Sequence, residues 1–306
     1  MISTDCSEVF LVRTSDRGLG VQSLLKRLDL DGFSGKRIAL KANYNSADPF
    51  PASTHRDTLE AIVKSLKQAG VSELTLAERS GMGDTRKVLD KCGVFSLAEK
   101  MGFRVVVLDE EGRDRWLKFG RDSTHWLAGF HLSKVFLEAD RVVQTCCLKT
   151  HRFGGHFTLS LKNSVGLVAK RVPGELYDHM WELHASPYQR LMIAEINAAY
   201  RVDLIVMDAI TAFINQGPDR GDIVEPNLML ASKDRVAMDA VGVAILRIYQ
   251  STQNVLKERI FELDQIRRAA ELGVGVRSAS NIRLTAMNDE SVADAEKIKQ
   301  ILKSQG

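Results

Sequence analysis

The sequence predicts an α/β protein, a layered, mostly parallel sheet flanked by helices. Three observations carry that expectation. Short uninterrupted apolar runs recur between turn residues, the pattern of strands buried on both faces. Stretches with apolar residues at helical spacing alternate with those runs. No internal repeat, low-complexity tract or Pro/Gly-rich linker intervenes, so residues 1–306 read as a single α/β domain. Residues 170–186 are the least regular part, and the boundary would fall there if the domain has two lobes.

In chain order, 37–44 (RIALKANY) opens as a strand. The spacing predicts a helix over 55–69, with Leu59, Ile62, Val63, Leu66 and Ala69 on one face and Gly70 as its stop. A strand at 73–77 (ELTLA), short helices at 84–92 and 94–101, and a strand at 103–109 (FRVVVLD) follow. The next strand is 141–148 (RVVQTCCL). After a helix at 187–200 come strands at 203–210 (DLIVMDAI) and 227–231. Residues 236–249 are almost wholly apolar, which predicts a buried helix. Helices at 265–272 and 291–302 close the chain.

Composition narrows the function classes. The 42 basic and 39 acidic residues nearly balance, and no basic stripe interleaves with aromatics, so a nucleic-acid partner is not expected. No run approaches the roughly 18 apolar residues of a transmembrane helix, so neither is a membrane. The opening MISTDCSEVFLVR lacks a basic segment followed by an apolar one, so no signal peptide is expected. Cysteines 6, 92, 146 and 147 form no C-x-x-C pair, and a reducing cytoplasm is the expected location. No G-x-G-x-x-G follows a strand, no G-x-S-x-G elbow occurs, and no H-E-x-x-H or paired-cysteine zinc signature is present.

In open α/β sheets ligands gather where strands end and lead into helices. Four strand ends here carry charged or amide groups beside glycines. They are Lys41-Ala42-Asn43, the stretch 78–84 (ERSGMGD), Lys149-Thr150-His151, and Asp208 with the loop 215–222 (NQGPDRGD). Each also has a structural reading. Lys41 would snorkel to solvent, Asp84 would cap the next helix, 215–222 would be a tight turn, and Asp208 would pair with Arg220. The stretch 146–163 (CCLKTHRFGGHFTLSLKN) is harder to explain by packing, because Lys149, His151, His156 and Lys162 cannot all be buried without partners. Gly154-Gly155 permits close backbone approach. His179 and His184 follow, with Trp181 and Glu182 between them.

Lysines beside Asn43 and Asn163 suit an anionic ligand, a carboxylate or phosphate, with Gly217 and Arg220 as further binding residues. His151 is the candidate for proton transfer, with Lys149, Lys162 and Asp208 beside it. His179 and His184 are candidate ligands of a divalent transition metal.

These segments resemble the family catalogued as domain of unknown function 362. The resemblance runs through VFLVR, GKRIALKANYN, AGVSELTLAERSG, ADRVVQTCCLKTHRFGGHFTLSLKNSVGL, DLIVMDAITAFINQGPDRGD and NLMLASKDRVAMDAVGVAILR. The block K-T-H…L-K-N-x-x-G is its most specific part. Many members carry an appended ferredoxin-like segment. This chain has no cysteine run able to hold an iron–sulfur cluster, so an electron-transfer role implies a separate iron–sulfur or redox partner. Cys146 and Cys147 are expected in the core. The order AD…H-x-x-x-G…K…H is also similar to the nickel-pincer lactate racemase family. That similarity implies Asp140 at the start of the motif, His151 as proton-transfer base, Lys162 as cofactor tether and His179 as nickel ligand. The tether run S-G-G-x-K of that family is replaced here by Leu159-Ser160-Leu161-Lys162.

Two functions follow as expectations. One is an enzyme acting on a small anionic metabolite by Lys/His chemistry, racemase- or isomerase-like and with or without a metal. The other is a non-catalytic module carrying a metal, cofactor or cluster for a redox partner.

Overall fold

The computed structural model describes residues 6–306. Its strands are β1 (Ser7–Arg13), β2 (Arg37–Lys41), β3 (Glu73–Glu78), β4 (Arg104–Val107), β5 (Trp116–Phe119), β6 (Phe130–Ser133), β7 (Arg141–His151), β8 (His156–Thr158), β9 (Leu204–Phe213), β10 (Ile223–Val224), β11 (Leu228–Ser232) and β12 (Ile282–Ala286). The main sheet runs β12-β1-β11-β9-β7-β2-β3-β4, with β10 paired to β9 and β8 to β7, while β5 and β6 form a separate antiparallel pair. Every neighbouring pair from β9 across to β4 is parallel, as is β1 with β12. Only β11 opposes its neighbours along this row. The mostly parallel α/β sheet expected from the sequence is the one observed.

Alternation along the strands builds a core on each face. Ala39 of β2, Val142 and Cys146 of β7, and Ile205 and Met207 of β9 join one hydrophobic cluster. Ile38 and Leu40, Val143, and Leu204 and Val206 join the other. Helices Gln189–Ala198 and Arg235–Ile248 pack into the first cluster, and helices Arg17–Leu28 and Arg56–Gln68 into the second. The helix Arg235–Ile248 is buried over nearly its whole length, as its composition requires. No helix among the described residues is long and apolar enough to cross a membrane.

Several elements lie outside the sequence expectations. Strand β1 and the helix Arg17–Leu28 form an additional β–α unit; Gly18 and Gly20 depress the helical signal of RGLGVQSLLKRL. Strand β7 continues past residue 148 to His151, because β8 folds back on it with Lys149 opposite Thr158 and His151 opposite His156. That hairpin carries polar side chains to the carboxyl end of the sheet.

Candidate functional site

Strands β2 and β7 are parallel neighbours, and the chain order diverges between them: β3 and β4 lie beyond β2, β9 beyond β7. This is a topological switch point, where open α/β sheets leave a crevice at their carboxyl ends. A cavity of about 290 Å³ opens there. Lys41 and Asn43 reach it from the end of β2, Glu78 and Arg79 from β3, and Lys149 and His151 from β7. Lys162 and Asn163 enter from the single helical turn Ser160–Asn163, and Met180 and His184 from the helix His179–Ala185.

Three buried lysines therefore share one cavity, and their hydrogen bonding separates them. Lys41 Nζ lies 2.8 Å from each carboxylate oxygen of Glu78 and donates to Asn163 Oδ1 at 3.0 Å and to the Ala42 carbonyl. Lys149 Nζ donates to Asn43 Oδ1 at 2.6 Å, to the Pro51 carbonyl at 3.0 Å and to the Ala52 carbonyl. An ammonium has three protons to give, so both lysines are fully committed to protein oxygens. Lys162 is 7% exposed and has neither a hydrogen-bond acceptor nor a carboxylate partner among the described residues. Burial, with the charges of Arg79 and Lys149 nearby, pulls its pKa down to about 8. Arg79 also lacks a carboxylate partner among the described residues. Its Nη2 donates to the Val165 carbonyl at 2.5 Å, and its buried Nε has no acceptor. Four cations thus surround the cavity against one carboxylate, Glu78.

His151 stands beside Lys162. Its Nδ1 accepts the Gly155 N–H at 3.3 Å, which leaves the proton of the neutral ring on Nε2. Burial first, then the charge of Lys162, holds its pKa well below the ordinary histidine value. Gly155 makes this proximity possible: a Cβ there would sit 2.7 Å from Lys162 Cε and 2.9 Å from His151 Nδ1. Gly166, the last residue of the L-K-N-x-x-G block, does the same for the neighbouring pair, since its Cβ would lie 2.7 Å from Lys41 Cε and 2.9 Å from Glu78 Oε1.

The turn bearing Lys162 is anchored from below. Asp239 Oδ1 accepts the Ser160 N–H at 2.8 Å and the Leu161 N–H at 3.3 Å. Asn163 Nδ2 donates to the Thr145 carbonyl at 3.1 Å. The motif therefore holds one free lysine on an anchored turn.

The remaining sequence candidates lie elsewhere. Asp208 is absorbed structurally: its carboxylate accepts Arg17 Nε at 2.8 Å, Thr58 Oγ1 at 2.6 Å and the Ile210 N–H at 3.2 Å. Its partner is Arg17, not Arg220. Gly217 packs against Thr150, donating to its Oγ1 at 3.2 Å, while Arg220 is exposed; neither lines the cavity, although Pro218 of the same loop does. Asp84 caps the helix Thr85–Lys91 by accepting the Lys87 N–H at 2.9 Å. Cys146 and Cys147 are free, buried thiols. Lys41 does not snorkel; it is paired. Glu78 and Arg79 belong to a strand end that the sequence singled out, but neither is among the catalytic, binding or metal candidates, although a carboxylate closing a buried apolar strand was a visible signal.

His179 and His184 do not form a metal pair. They are five residues apart on one helix, about 140° apart around its axis. His184 reaches the cavity mouth, whereas His179 Nε2 lies 3.1 Å from His131 Nδ1, away from the cavity. No cluster of three or more His, Cys, Asp or Glu suited to a metal exists among the described residues. With His179 turned away from Lys162 and His151, the ligand set implied for a tethered nickel cofactor is not assembled.

Fold and site together define an α/β protein with a cationic pocket at its topological switch point. The chain belongs to the family described as Domain of unknown function (DUF362), whose model matches residues 38–244. It is 28% identical over 222 residues to the thylakoid-associated protein sll1697 of Synechocystis sp., a match covering 71% of this chain and 65% of that protein. The chain thus spans just under two thirds of that relative's length. Among solved structures, the lactate racemase apoprotein of Thermoanaerobacterium thermosaccharolyticum aligns over 98% of this chain and 87% of that one, with 11% identity and a TM-score of 0.49.

Proposed function

We propose that the protein is an enzyme acting on a small carboxylate- or phosphate-bearing metabolite bound in the switch-point cavity. Lys162 and His151 are the groups that exchange protons with it. The observation that carries this reading is Lys162, a buried residue whose ammonium faces the cavity without a partner among the described residues, in a cavity with three more cations than anions. An uncompensated buried charge destabilises a fold, and a bound anion would supply the missing partner through charge-assisted hydrogen bonds.

The chemistry divides among these residues. Lys41, Lys149 and Arg79, held by the protein, supply a fixed positive field that favours developing negative charge on the substrate. Lys162, with its pKa near 8, can accept or return a proton close to neutral pH. His151, neutral and protonated on Nε2, donates to a substrate oxygen. An acid and a base on one small cavity suit removal and return of a proton next to a carboxylate, as in an isomerase or racemase.

The test is solvent exchange. Purified protein is incubated in D2O with a panel of hydroxy acids and phosphorylated metabolites, and proton NMR follows loss of the hydrogen next to the anionic group. Exchange that disappears in Lys162→Met supports the proposal. Tight binding of an anion with no exchange and no turnover would instead make the protein a carrier of that anion.

A further inference from the structure

We infer that Lys162 is a covalent nucleophile and that its ligands are small anions bearing an aldehyde or ketone, such as oxo acids, held as an imine on Nζ. This inference rests on the anion-binding reading above and adds the functional group of the ligand.

The geometry sets Lys162 apart from its neighbours. Lys41 and Lys149 have their nitrogens bound to protein oxygens, so neither has a free lone pair or room for a new bond. Lys162 Nζ has no partner among the described residues, and Gly155 packs closely against its stem. Arg79 and the two committed lysines line the same cavity. Arg79 would hold a carboxylate or phosphate within the positive field of the two committed lysines while a carbonyl carbon meets the amine. The lowered pKa supports this role. At pH 7 about one amine in ten is unprotonated, against roughly one in several thousand for an ordinary lysine.

The step balances without an external reagent. The Nζ lone pair forms a bond to the carbonyl carbon, and the carbonyl π pair moves to oxygen, which takes the Nε2 proton of His151. The nitrogen gives up a proton to restore the imidazole, leaving a carbinolamine. The leaving hydroxyl then takes the Nε2 proton of His151 and departs as water, the nitrogen lone pair forms the C=N bond, and the remaining proton on that nitrogen restores the imidazole.

The test treats the full chain with glyoxylate, pyruvate or 2-oxoglutarate and sodium borohydride, followed by intact-mass and peptide mapping. In parallel, thermal shift measures binding of oxalate and lactate, which cannot form an imine. The expected result is one adduct, equal to the acid less one oxygen, on Lys162. It forms at least ten times faster than on any other lysine, is slowed by oxalate and is absent in Lys162→Met. Binding of oxalate or lactate without selective labelling by any of the three acids overturns the imine and leaves the anion-binding reading standing. Neither labelling nor anion binding overturns both.

Discussion

Replacing Lys162 by Met should make the protein more stable, not less. Methionine keeps the length and apolar character of the lysine stem but removes the charge. Burial lowers the Lys162 pKa from 10.5 to about 8, and at about 1.4 kcal/mol per unit this is a penalty of about 3 kcal/mol on the charged form. Below pH 8 the lysine is protonated in both folded and unfolded chains, and the folded protein bears the whole penalty. Between about 8 and 10.5 the unfolded chain holds a proton that the folded one does not, so wild-type stability rises with pH across that window. Above it the penalty is gone. Lys162→Met should therefore gain about 1–3 kcal/mol at pH 7, several degrees in Tm, with the gain shrinking toward pH 10. Thermal unfolding of both proteins at pH 7, 8.5 and 10 measures this directly. A variant less stable than wild type at pH 7, or a gap independent of pH, would refute the claim that the ammonium lacks a partner.

The committed pair should behave in the opposite way. Glu78→Gln leaves Lys41 buried without its carboxylate and should lower stability by about 3 kcal/mol at pH 7, read by the same unfolding assay. Gly155→Ala places a methyl against Lys162 Cε and His151 Nδ1, and should weaken anion binding at least tenfold by calorimetry while leaving the far-ultraviolet circular dichroism unchanged. Asp239→Leu removes the acceptor of the Ser160 and Leu161 N–H groups and should cost about 2 kcal/mol along with anion affinity; Asp239→Asn, which keeps an oxygen there, should retain most of both. Nitrogen-15 NMR should find His151 neutral and protonated on Nε2 at pH 6.5, where an exposed histidine is half charged.

Much of this site was legible in the sequence because one rule, polar groups where buried strands end, places residues without any knowledge of their neighbours. Lys41, Asn43, Lys149 and His151, placed by that rule, come to one cavity with Lys162 and Asn163, whose stretch 146–163 was hard to explain by packing. The same rule misplaced Asp208, since its partner Arg17 is 191 residues away on a helix that two glycines conceal. Metal-ligand chemistry grouped His179 with His184, although His179 turns to His131, 48 residues upstream. Above all, sequence alone cannot count the acceptors around a buried amine. Lys41, Lys149 and Lys162 look equivalent as letters, and only the fold shows that two are saturated and one is free.

The most direct measurement is the titration of Lys162 itself, by carbon-13 NMR of protein labelled at lysine Cε, with Lys162→Met to assign the signal. A midpoint near pH 8 that moves upward when oxalate is added is the result expected of a buried, unpartnered ammonium awaiting an anion. A midpoint in the ordinary lysine range, unmoved by oxalate, would contradict it.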